Sequence, residues 1–146
     1  MVLFEKELDE LFGRELPPEE MIKETEGKPV QAAVYFIAGS SINCSETADY
    51  ERALGFYNSA LGVTQKDPYF SKNPADKAKT ETDIYLNMFV SHVGLGKHSD
   101  ARSDLDKAKY SLNVLNGTDK ELEEYVSQAN DLISKGYEEL KQLVGS

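Results

Sequence analysis

Two histidines and one cysteine are the side chains in this sequence best suited to metal binding or nucleophilic chemistry. His92 and His98 are six residues apart, so one helix face does not hold both, and the HExxH spacing of helical zinc sites is absent. We expect His92 to be a hydrogen-bonded structural histidine on the core side of its helix, and His98 to be exposed at a helix start. Cys44 is expected between helices as a small hydrophobic residue. We therefore predict no metal site and no cofactor.

Motifs for covalent or phosphate chemistry do not occur in the sequence. It contains no GxSxG, GxxxxGK[ST] or GxGxxG, so neither a nucleophile elbow nor a phosphate-binding loop is indicated. The acidic pairs Glu19-Glu20 and Glu123-Glu124 fall on polar helix faces, where we expect them to be solvated. The sequence predicts a protein without catalytic residues; an enzyme whose carboxylates are brought together only by the fold is the alternative.

Composition favours a single acidic domain. The 146 residues carry a net charge of −10, which disfavours binding to nucleic acid or to an anionic membrane. The acidic excess lies at the two ends, either as solvated flanks or as an attraction for a basic partner. A lone cysteine excludes an intrachain disulfide, and no signal peptide or membrane span is indicated, so a cytoplasmic protein is expected.

Hydrophobic periodicity predicts an all-α chain in five segments. We expect short helices in 1–28, a helical hairpin in 29–63, a loop in 64–73, a second hairpin in 74–116 and a long C-terminal capping helix in 117–146. The N-terminal helices either cap the first hairpin or detach and dock elsewhere. The loop contains adjacent aromatics, Tyr69 and Phe70, which either pack on the hairpin or form an exposed anchor for a partner.

The two hairpins share a pattern when one is shifted by 48 residues. Ala53 then aligns with Ala101, Ala60 with Ala108, and Tyr57 with Leu105, each copy placing two small residues and one large residue on one helix face. This pattern resembles the tetratricopeptide repeat, in which small residues let paired helices approach closely. In the preceding helices, the large positions of the motif fall on Ile37 and Tyr85 and its first small position on Ser41.

The resemblance implies a short TPR-like superhelix of two divergent repeats that works as an adaptor. Proteins of that family bind peptides or protein segments in a groove lined by the first helix of each pair. Asn87 matches a family asparagine that holds the backbone of a bound peptide, unless its amide bonds within the stack. A self-associating protein that covers the ends of its stack in a homodimer is the alternative. The implied groove residues are Tyr35, Ala38, Ile42, Asp83, Leu86, Asn87 and Val90.

Overall fold

The computed structural model describes residues 3–43, 49–115 and 120–144, and within these ranges the chain is all-α and contains no strand. This confirms the predicted fold class. The eight described helices are α1 (Glu5–Gly13), α2 (Pro18–Glu24), α3 (Val30–Asn43), α4 (Tyr50–Lys66), α5 (Pro68–Lys72), α6 (Pro74–Gly94), α7 (His98–Asn113) and α8 (Lys120–Val144).

Several helices begin and end at residues whose chemistry suits a helix terminus. The side chain of Asp49 accepts a hydrogen bond from the backbone N–H of Arg52 and so caps α4. Pro18 and Pro74 lie in the first turn of α2 and α6, where a missing N–H costs nothing. Gly96, with a φ of 73°, follows α6 in the left-handed conformation that commonly ends a helix.

The helices pack as two neighbouring pairs followed by a terminal helix. α3 packs along α4, α6 along α7, and α4 against α6, while α8 lies mainly on α7. The four aligned alanines have no exposed surface, and the aligned Tyr57 and Leu105 are also completely buried. The expected close packing of small residues in both hairpins is therefore confirmed, although the superhelical arrangement stays a prediction. The four alanines are Ala53, Ala60, Ala101 and Ala108.

The small residue at the α3–α4 crossing is Gly39 and not Ser41. A Cβ atom added to Gly39 would lie 2.7 Å from Cε1 of Tyr57, so the ring occupies the space that any side chain would need. Ser41 is exposed and its hydroxyl donates a hydrogen bond to the carbonyl of Ile37. The register predicted from the repeat pattern is therefore wrong in α3 by two residues.

The segment 64–73 is largely helical, in contrast to the predicted loop. α4 continues to Lys66, and α5 begins after Asp67, whose side chain accepts a hydrogen bond from the backbone N–H of Tyr69 at 2.9 Å. Asp67 followed by Pro68 is a helix-start signal, because the carboxylate satisfies one free N–H and proline lacks another. Asn73 followed by Pro74 precedes α6, but the Asn73 side chain does not cap that helix, because its amide donates to the carbonyl of Tyr69 at 2.8 Å.

The N-terminal helices pack on the first hairpin. Leu8 and Leu11 of α1 form a buried cluster with Val30 and Val34 of α3. α1 and α2 are also joined to each other, because the guanidinium of Arg14 donates hydrogen bonds to both carboxylate oxygens of Glu24. This bidentate pair lowers the pKa of the Glu24 carboxyl and raises that of Arg14. The packing matches the capping interpretation of the two that the sequence left open.

Candidate binding cleft

An apolar cavity of about 340 Å³ opens between the N-terminal helix pair and the first hairpin. We call it the α3 cleft, because α3 supplies half of its lining. Of the ten lining residues that lie in the described ranges, eight are apolar, and Arg52 alone is charged. The lining consists of Phe12, Pro18, Met21, Val34, Ile37, Ala38, Ser41, Ile42, Arg52 and Phe56.

The cleft exists because α3 is apolar around most of its circumference. One side of α3 packs on α4 through Gly39 and Tyr57, and another packs on α1 through the buried Val34. Between these contacts lies Ala38, whose methyl group leaves space that a larger side chain would fill. The hydroxyl of Ser41, the one hydroxyl among the described lining residues, donates to the carbonyl of Ile37. The floor therefore offers apolar surface to a ligand.

Two aromatic residues and one cation border the cleft. Phe12, the penultimate residue of α1, is 45% exposed, which is unusual for so large an apolar side chain. Phe56 is half-buried, and the guanidinium carbon of Arg52 lies 5.7 Å from the centre of its ring. Aromatic and arginine side chains at the edge of an apolar depression are typical of residues that dominate protein interfaces.

The seven groove residues implied by the repeat resemblance do not line one cavity. Ala38 and Ile42 line the α3 cleft. Tyr35 lies on another side of α3, where its ring is 6.4 Å from that of Phe56 and borders a separate, more polar cavity. None of the four residues from α6 lines the α3 cleft. Val90, one of these four, is 46% exposed.

Asn87 takes part in hydrogen bonds inside the helix stack. Its side-chain amide donates to the carbonyl of Asp83 at 2.9 Å, and its Oδ1 lies 3.5 Å from the hydroxyl of Tyr57. The carbonyl of Asn87 accepts from Nδ2 of Asn43, whose Oδ1 in turn accepts from the hydroxyl of Ser91. Of the two roles considered for Asn87, this geometry matches the one within the stack.

Asp83 and Leu86 contact neighbouring helices of the stack, among them α8. The hydroxyl of Tyr125 donates to Oδ1 of Asp83 at 2.6 Å, and Nζ of Lys79 lies 3.7 Å from Oδ2. Burial raises the pKa of Asp83 despite these partners, and burial beside the carboxylate raises the pKa of Tyr125. Leu86 packs in the apolar clusters that α8 shares with α6 and α7. These contacts hold α8 on the second hairpin.

The histidines are separate and do not form a site with each other. Nδ1 of His92 lies 2.5 Å from Oδ2 of Asp104, whose side chain is only 4% exposed, and burial raises the pKa of that carboxyl. This pairing matches the structural role expected for His92. His98 is half-buried beside Tyr137, which differs from the predicted exposure. Cys44 lies outside the described residues. No group of three or more potential metal ligands occurs among the residues that the structure describes.

The aromatic pair of α5 packs into the protein. Phe70 is completely buried, and its ring contacts those of Phe4 and Tyr69. The hydroxyl of Tyr69 donates to Oδ2 of Asp76 at 2.5 Å, which raises the pKa of Tyr69 to about 12. The interpretation of Phe70 as an exposed anchor is therefore wrong, because its burial leaves no surface for a partner. Tyr69 is half-buried and bonded within the chain.

Sequence reasoning missed the residues that border the α3 cleft. Phe12 belongs to the apolar stripe of α1, and nothing in the spacing shows that this last member of the stripe stays partly in water. Arg52 and Phe56 are four residues apart on α4 and therefore lie on one helix face. That spacing is a signal for the stacked pair, but it does not reveal the position of the pair beside α3.

Comparison with known proteins gave no relative: the chain matches no protein-family model, no curated protein and no solved structure. The resemblance to the tetratricopeptide repeat therefore stays a prediction based on the alanine pattern. In the described part of the chain, each helix is too short or too polar to cross a membrane.

Proposed function

We propose that this protein is a non-catalytic interaction module that binds a segment of a partner protein in the α3 cleft. The observation that carries the proposal is a concave apolar cavity bordered by the partly exposed ring of Phe12. Its volume of about 340 Å³ lies within the range of sites that hold ligands or anchoring side chains. Burying Phe12 and Phe56 under a partner would remove aromatic surface from water, which favours association.

The proposed site keeps only part of the groove implied by the repeat resemblance. Ala38 and Ile42 belong to both surfaces, whereas Asp83, Leu86 and Asn87 are occupied by contacts within the chain. The proposed partner segment therefore lies between α3 and the N-terminal helices, away from α6. We also propose a cytoplasmic location, which the single cysteine favours because disulfide-stapled secreted folds need pairs.

The test is a selection of short displayed peptides on the immobilised protein, followed by affinity measurement with matched variants. Phe12→Ser removes the exposed ring, and Ala38→Asp places a charge on the apolar floor. Tyr110→Ser is the control, because Tyr110 is 77% exposed on α7 and does not line the cleft. We expect selected peptides to lose at least tenfold in affinity for the two cleft variants and to bind the control as they bind the parent. Equal binding to all four proteins would exclude the α3 cleft as the site.

A second pair of substitutions distinguishes the α3 cleft from the α6 part of the groove that the repeat resemblance implies. The double variant Asn87→Ala/Val90→Asp changes two of the implied groove residues on α6, and Val90 is exposed enough to accept a charge. If the α3 cleft is the site, the double variant binds the selected peptides as the parent does. Loss of binding in the double variant, with unfolding temperature unchanged, would move the site to α6.

Self-association is the second candidate function, and exposed apolar residues near the end of the stack favour it. Val114 at the end of α7 is 48% exposed, and Leu132 and Leu143 on α8 are 55% and 47% exposed. Such residues would be covered if two copies met at this end. Light scattering over a range of concentrations tests it: a dimer that Leu132→Ser dissociates supports the candidate, and a monomer at all concentrations rejects it.

A further inference from the structure

We infer that the segment bound in the α3 cleft carries an acidic side chain beside its apolar anchors and places that carboxylate at Arg52. This inference rests on the proposed function and specifies the chemistry of the partner. Among the described residues that line the cleft, Arg52 alone is charged. No carboxylate of a described residue lies within ion-pair distance of its guanidinium, whereas Arg14 is paired with Glu24.

Arg52 is held in place at the mouth of the cleft by its own helix. Its backbone N–H is bonded to the capping carboxylate of Asp49 in the first turn of α4. One turn later, the ring of Phe56 lies under the guanidinium at 5.7 Å, a cation–π contact that restricts the side chain. A stacked guanidinium keeps the N–H donors along its edge available, and these match the two oxygens of a carboxylate. The cation–π contact therefore favours a guanidinium position beside the cleft.

The charge of the cleft selects against the other occupants. A basic segment would meet Arg52 as a like charge, although the net charge of −10 attracts it at a distance. That long-range attraction is screened beyond about 8 Å at physiological salt, so the contact with Arg52 decides the preference within the cleft. A wholly apolar segment would gain nothing from the guanidinium. A segment with an acidic residue next to large apolar residues matches both the apolar floor of the cleft and the guanidinium of Arg52 beside it.

The experiment uses three displayed peptide libraries with the same randomised apolar positions and a central Glu, Gln or Lys. Each library is screened against the full chain and against Arg52→Gln and Arg52→Glu, with Phe12→Ser as the cleft variant. The parent should prefer Glu over Gln peptides by up to about fivefold, the size of an exposed ion pair, and the preference should shrink at high salt. Arg52→Gln should abolish the preference, and Arg52→Glu should transfer it to Lys peptides. Thermal unfolding checks that each variant is folded.

The outcomes separate this inference from the proposed function. The acidic preference is overturned if Glu and Gln peptides bind the parent equally, or if Lys peptides bind best. If Phe12→Ser weakens the binding of all these peptides, the proposed binding function still stands. If no library binds the parent, or Phe12→Ser changes nothing, the proposed function fails and the acidic preference fails with it. A charge reversal that moves the preference to Lys supports direct contact, because a merely structural role of Arg52 has no such effect.

Discussion

Replacing Gly39 with alanine tests the contact that sets the position of α3 against α4. The new Cβ would lie 2.7 Å from Cε1 of Tyr57, whereas ordinary contacts begin at 3.4 Å, so the ring must retreat by about 0.7 Å. Tyr57 is completely buried and packed between helices, so this movement disturbs the core. Overpacking of this kind costs about 1–3 kcal/mol, and alanine recovers about 0.5–1 kcal/mol through its better helix propensity. We expect a net loss of about 1 kcal/mol, and at most about 2.5 kcal/mol, in the free energy of unfolding.

The matched control is Gly55→Ala on the facing helix. Gly55 lies inside α4, and an added Cβ there meets no atom within 4 Å. The same chemical change should therefore stabilise the protein by about 0.5–1 kcal/mol. Urea unfolding followed by circular dichroism measures both variants, and the difference between them removes the shared propensity effect. The free energies of unfolding of the two variants should differ by about 2 kcal/mol.

A loss of stability in Gly39→Ala supports the contact between Gly39 and the ring of Tyr57, and a gain contradicts it. If Gly39→Ala stabilises the protein as much as Gly55→Ala does, the ring of Tyr57 does not rest on Gly39, and α3 packs on α4 through other residues. A second substitution, Tyr57→Leu, provides a further check, because the smaller side chain should relieve the cost of the methyl group that Gly39→Ala adds in the double variant. Independent, additive effects in that double-mutant cycle would also contradict the contact.

Two further predictions concern the half-buried carboxylate of Asp83 and the fully buried ring of Phe70. The folded pKa of Asp83 is raised above its ordinary 3.8, so its contribution to stability is full below pH 3.8 and is lost as the pH rises through the folded pKa. The Asp83→Asn variant has no carboxyl group to ionise and so lacks this loss of stability. Urea unfolding should therefore show the variant becoming more stable relative to the parent as the pH rises from 3.8 towards neutrality. A stability difference that does not change with pH would contradict the raised pKa of Asp83. Phe70→Ala should cost about 3–5 kcal/mol because the ring is fully buried. A cost below about 1 kcal/mol, measured by the same method, would place the ring outside the core.

Much of the fold was predictable from local patterns in the sequence. Apolar periodicity located most of the helices, because a helix that buries one face must repeat its apolar residues every three or four positions. The 48-residue shift also identified the four alanines that are completely buried, since only small residues permit close helix approach. The α5 segment was missed although Asp67-Pro68 begins it, because a helix of five residues has too few positions to show periodicity.

The binding site was less predictable because it depends on contacts between distant segments. The repeat resemblance places Ala38 and Ile42 in a groove shared with α6, but they line a cleft formed with Phe12 of α1 and Phe56 of α4. No spacing within α3 reveals which neighbour covers which of its sides, since ten of its fourteen residues are apolar or glycine.

Local patterns in the sequence account for the helical fold, for the alanine pattern that two helix pairs share, and for the net charge of −10. These properties follow from local chemistry and composition. Packing between distant segments places Gly39 under Tyr57, joins Tyr125 of α8 to Asp83, and brings Phe12 and Arg52 to one cleft. The physical reason is that helix faces are set by neighbouring residues, whereas the partner of each face is set by packing among residues far apart in the chain.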